Sequence, residues 1–96
     1  MTWTFEAETW RWQARSDSWI FVTVPPEVSE QIADIPRPPS GFGSVRVRVC
    51  VGQTRWGTSV FPDAARGCYV LAIKKAVRAA EGIEEGAPVL VELELG

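Results

Sequence analysis

Apolar and polar residues alternate along most of this chain, and a period of two is the mark of strands with one covered face. Trp3, Phe5 and Ala7 recur at every second position, and the apolar series resumes at Trp10 and Trp12. That slip in phase predicts a first strand with a bulge near Glu8 or Thr9. Gln13 to Ser18 is polar and turn-like, and Trp19 to Val24 is β-branched and aromatic, so the two segments are expected to form a hairpin around a well-covered second strand. Val45, Val47, Val49 and Val51 alternate with Arg46, Arg48 and Cys50, which predicts a strand whose arginines point away from the core. Gly52 and Gln53 suit a two-residue turn, returning the chain antiparallel through Thr54 to Phe61. After a loop from Pro62 to Gly67, Cys68 to Ile73 reads as a strand. A last strand places Val89, Val91, Leu93 and Leu95 on one face and Leu90, Glu92 and Glu94 on the other.

Two segments have a helical period instead. Pro26 suits the first position of a helix, Glu27 and Glu30 favour its start, and Val28, Ile32 and Ile35 share one face before Pro36 stops it. A second short helix carries Ile73, Ala76, Val77 and Ala80 on its inner face, with Lys74, Lys75, Arg78 and Glu81 toward solvent. Gly82 terminates it, and Ile83 is expected to fold back over Val77. Arg37 to Ser44, rich in proline and glycine, is expected to be an irregular loop. The sum is a mostly β protein of about six strands with two short helices, and residues 1–96 form one domain because so short a chain cannot build a second core.

Composition narrows the function classes. With 46% hydrophobic and 23% charged residues the chain has enough apolar surface to fold. A net charge of -2 supplies no global attraction to phosphates or anionic lipid, so any basic site must be local. Two cysteines, Cys50 and Cys68, and no histidine are too few soft ligands for a structural zinc site, and no metal or other cofactor is expected. The absence of a signal-like start and of any long apolar run leads to the expectation of a cytoplasmic protein with reduced thiols and no membrane segment.

The run Gly67-Cys68-Tyr69-Val70-Leu71-Ala72-Ile73-Lys74-Lys75-Ala76-Val77-Arg78, with Gly82-Ile83 and Gly86 after it, resembles a small prokaryotic domain-of-unknown-function family, some of whose members are fused to a bacteriocin-protection domain. Trp19 to Pro25 is similar to that family's early strand, and Arg46 to Val49 with Trp56 to Pro62 is similar to its central hairpin. The resemblance implies a double-split-barrel-like fold, an architecture also used by DNA-binding transition-state regulators and antitoxins. It implies no catalytic residues, and fold likeness alone does not confer DNA binding. Where the family often has glycine then aspartate before the last strand, this chain has Gly86-Ala87-Pro88.

Three sets of residues could carry function. Lys74 and Lys75 stand at a helix start, where positive charge opposes the macrodipole. With Arg78 and the strand arginines Arg46 and Arg48 they are candidates for holding an anion or nucleic acid, against the plainer reading of a solvated charged face paired with Glu92 and Glu94. Trp10, Trp12, Trp56 and Tyr69 are candidates for an aromatic-lined ligand pocket, against the plainer reading that these aromatics, with Trp3, Trp19, Phe5, Phe21, Phe42 and Phe61, mostly fill a barrel core, Trp10 and Trp12 beyond the phase slip being the ones expected to be exposed. Cys50 sits on the solvent phase of its strand, but with no histidine to serve as base an enzyme is not expected. The expected role is a binding or interaction module without catalytic activity. The alternatives are binding of nucleic acid or another polyanion and carriage of a small ligand, and unpaired strand edges would permit a homodimer.

Overall fold

A computed structural model describes residues 1–14, 17–36 and 43–96, with backbone only at 13, 14, 17 and 18. The expected loop tip at 37–42, with Phe42, and the turn at 15–16 lie outside the described residues. Six strands, β1 (Thr2–Ala14), β2 (Asp17–Thr23), β3 (Val45–Val51), β4 (Thr54–Asp63), β5 (Cys68–Ala72) and β6 (Pro88–Leu95), form a closed antiparallel barrel in the order β1-β2-β5-β4-β3-β6. Helix α1 (Pro26–Ala33) joins β2 to β3, and α2 (Lys75–Glu81) joins β5 to β6.

Closure depends on two long strands that change partner along their length. Thr2 to Glu8 of β1 pair with β6, and Thr9 to Ala14 pair with β2. Thr54 to Val60 of β4 pair with β3, and Phe61 to Asp63 pair with β5. The barrel therefore has two halves that share β1 and β4. Because β6 lies between β1 and β3, the ring is complete and the unpaired edges expected from a short split barrel are absent among the described strands.

The expected bulge in β1 is also absent. Both ladders keep a regular register through Glu8↔Pro88 and Thr9↔Val22, and the inward phase of Trp3, Phe5 and Ala7 continues to a buried Thr9. The slip belongs to the side chains: a threonine takes the inward position, and Trp10 and Trp12 stand on the outer surface. There Trp10 stacks on Phe21 of β2 with ring centroids 5.1 Å apart, and its indole N–H donates to Thr23 Oγ1 at 3.0 Å. Trp12 is directly opposite Trp19, and these two with Phe61 are about half exposed. The expectation that Trp19 and Phe61 fill the core is thus overturned. The interior belongs mainly to aliphatic residues, Val22, Val47, Val60, Leu71, Val91 and Leu93 being fully buried, with Trp3, Phe5 and Tyr69 beside them.

The helices cover the barrel. Ile32 of α1 is fully buried, while Val28 and Ile35 pack against the core from the same face. Ser29 ties α1 down: its hydroxyl donates to the Val24 carbonyl and accepts the Tyr69 N–H, each at 3.0 Å. In α2 only Val77 is buried, and Ala76 and Ala80 are exposed, a narrower inner face than the periodicity predicts. Gly82 (φ 64°) ends the helix in the left-handed region, and the Ile83 N–H reaches the Arg78 carbonyl at 2.9 Å, the six-to-one bond of a Schellman stop.

Candidate binding face on β3, β4 and β6

The alternation that buries the valines of β3 turns Arg46, Arg48 and Cys50 outward, and the β3–β4 turn aligns β4 against them. Gly52 (φ 59°) supplies the positive φ of that turn, so Val51 faces Thr54 and Cys50 faces Arg55. On the other side β6 brings Glu92 opposite Cys50 and Glu94 opposite Arg48. The outer surface is consequently ordered in rows across three strands: Arg55, Cys50, Glu92; then Gly57, Arg48, Glu94; then Ser59 and Arg46.

The first two rows, with Arg46 of the third, line an open concavity of about 770 Å³. Arg48 Nη2 bonds Glu94 Oε1 at 2.9 Å. Among the described residues neither Arg46 nor Arg55 has an ion-pair partner, and both are exposed. Gly57 lies beside them, and a Cβ there would stand 3.4 Å from Arg46 Nη2, at the near edge of ordinary van der Waals contact. Three arginines and two glutamates leave the face one positive charge in excess, against -2 for the whole chain.

Among the other candidates, Lys74 is the extended residue that precedes α2, Lys75 is the first residue of that helix, and the Arg78 Nε–H donates to the Ile73 carbonyl at 3.1 Å. None of the three lines the concavity, so Arg46 and Arg48 meet there without them. The aromatic quartet does not converge either. Trp10 and Trp12 are on the outside of the wall, Tyr69 is buried, and Trp56 is half-buried opposite Val49, bordering the arginine face. A pocket shared by all four is ruled out by the strand phase. Arg55, one of the chain's other cationic residues, joins Arg46 and Arg48 on this face. A two-residue turn at Gly52-Gln53 implies its pairing with Cys50, so the sequence signals that placement.

In the other half of the barrel, Arg66 lies over the Trp10 ring, 3.7 Å from its centroid, and bonds Asp63 Oδ2 at 2.7 Å. That hydrogen bond is the main cause holding the Asp63 carboxyl below its ordinary value, with further bonds from the Arg66 and Ala65 N–H groups. Among the described residues no group of three or more histidine, cysteine or acidic side chains is placed to hold a metal ion, and no helix is long and apolar enough to cross a membrane. Cys50 and Cys68 are both free thiols.

Fold and surface together define a closed six-stranded antiparallel barrel with a charged concave face on one half. The chain belongs to the domain-of-unknown-function family DUF1905, whose sequence pattern matches residues 5–93, from Phe5 in β1 to Leu93 in β6. No curated protein matches the chain.

Proposed function

We propose that the protein is a non-catalytic binding module that holds a small anionic ligand, through a carboxylate or phosphate group, on the concave face of β3, β4 and β6. The observation that carries this reading is the presence of Arg46 and Arg55, both without ion-pair partners among the described residues, in one concavity of about 770 Å³. Small-molecule sites span roughly 300–1,000 Å³, and the planar guanidinium fork matches the two oxygens of a carboxylate or phosphate. The Arg48–Glu94 pair is largely exposed and of the kind that contributes little, so it can yield a guanidinium to an incoming anion at small cost.

A nucleic acid is less well served. An interface with double-stranded DNA commonly neutralises on the order of 6–10 phosphates, whereas this face offers three arginines interleaved with two glutamates. Heteronuclear NMR titration with inorganic phosphate, citrate and a short single-stranded DNA tests the reading. Phosphate or citrate should shift the amides of β3 and β4 with a salt-sensitive affinity that is lost in the double variant Arg46→Ala, Arg55→Ala. Absence of shifts with every probe, or equal binding by the double variant, overturns it, and DNA binding far more tightly than phosphate replaces it with a nucleic-acid role.

A further inference from the structure

The row Arg55, Cys50, Glu92 has a feature that a simple anion site does not need. In the next row Arg48 and Glu94 stand on neighbouring strands and bond at 2.9 Å. Arg55 and Glu92 are the same pair of charge types, both exposed, yet the short Cys50 side chain lies between them on β3, and they are not bonded. Two strand spacings separate their backbones by about 10 Å. The row is therefore a dipolar slot, with a cation on the β4 side, an anion on the β6 side and a thiol as floor.

From this charge order we infer that the ligand is a zwitterion, an amino-carboxylate such as a free dipeptide, whose carboxylate meets Arg55 and whose ammonium meets Glu92 across Cys50. The inference rests on the reading of this face as an anion site and narrows its ligand. A ligand with only negative charge gains from the arginines and is repelled by Glu92 and Glu94. A ligand with only positive charge meets three guanidinium groups. A zwitterion in the matching orientation satisfies both sides, and the reversed orientation is penalised at both ends, so the layout also sets direction.

The test compares glycylglycine with its N-acetyl form, which lacks the ammonium, and its C-terminal amide, which lacks the carboxylate. Binding is read by amide shifts and by protection of Cys50 from alkylation. Cys68 serves as the internal control, because it lies on β5 opposite Asp63, in the other half of the barrel. Glycylglycine should bind about 1.4- to fivefold more tightly than the N-acetyl form, the range one exposed ion pair supplies. It should protect Cys50 and leave Cys68 unchanged. In Glu92→Gln, an exposed position where the fold is checked by circular dichroism, the preference should vanish while the N-acetyl form binds as well as before or better. Equal affinity for glycylglycine and its N-acetyl form in the wild type overturns the zwitterion and leaves the anion site standing. Failure of these probes together with phosphate and citrate overturns both, and tightest binding of the amide overturns the proposed charge order.

Discussion

The Thr9 hydroxyl accepts the backbone N–H of Gly86 at 2.8 Å, and its proton is within reach of the Glu84 carbonyl at 3.1 Å and the Ala87 carbonyl at 3.4 Å. The Thr9 N–H also donates to the Ala87 carbonyl at 3.0 Å. Thr9 is the residue at which β1 leaves β6 for β2, so this one side chain secures the turn into the last strand at the point where the two halves of the barrel divide.

Thr9→Val keeps the shape and removes the hydroxyl, stranding the Gly86 N–H. A loss of about 0.5–1.5 kcal/mol in stability is expected, the net contribution of a hydrogen bond at a part-buried position. Urea denaturation should show a lower midpoint with an unchanged slope. A variant as stable as the wild type would mean that solvent replaces the hydroxyl at that turn.

Asp63 links a carboxylate to the face of an indole through Arg66. Its pKa lies below the ordinary 3.8, chiefly through the Arg66 hydrogen bond, so the link is intact above that value and is lost as the pH falls through the lowered pKa. Acid titration should therefore give a change in tryptophan emission centred below pH 3.8, as Arg66 leaves the Trp10 ring. Asp63→Asn should abolish that step, and so should Arg66→Ala; a step that survives both comes from elsewhere.

Gly52 and Glu81 hold the β3–β4 hairpin to α2. Glu81 accepts from the Thr54 hydroxyl at 2.6 Å and from the Gln53 N–H at 3.3 Å, and a Cβ on Gly52 would collide with its carboxylate. Gly52→Ala should cost at least about 1–2 kcal/mol, the penalty for an L-residue in the left-handed region, with loss of the clamp in addition. Glu81→Ala keeps the turn geometry but frees it, so the Gln53 amide should exchange faster with solvent while core amides of β3 do not.

Tryptophans that look alike in the sequence should differ sharply in energetic weight. Trp3 is buried and its indole N–H donates to Gln31 Oε1 at 2.9 Å, so Trp3→Ala should cost about 3–5 kcal/mol. Trp12 is 47% exposed on the outer surface, and Trp12→Ser should cost about 1 kcal/mol or less, a difference readable in thermal midpoints.

Much of the local architecture was legible in the residues. The alternation of β3 places Arg46 and Arg48 outward, Gly52-Gln53 aligns Arg55 with Cys50, Pro26 opens α1 and Gly82 closes α2. Each of these depends on neighbours in the chain. The misreadings share one cause, since a period of two separates two faces without saying which one looks inward. At Thr9 a polar residue takes the inner position, and at Trp19 and Phe61 aromatic residues take the outer one.

The sequence by itself determined strands, turns and helix ends, because hydrophobic period, proline and glycine act over a few residues. Only the tertiary structure decided that β6 lies beside β3, which closes the barrel and sets Glu92 opposite Cys50 and Glu94 opposite Arg48. That pairing joins segments distant in the chain, and its register follows from filling the whole barrel interior at once, which no local pattern encodes.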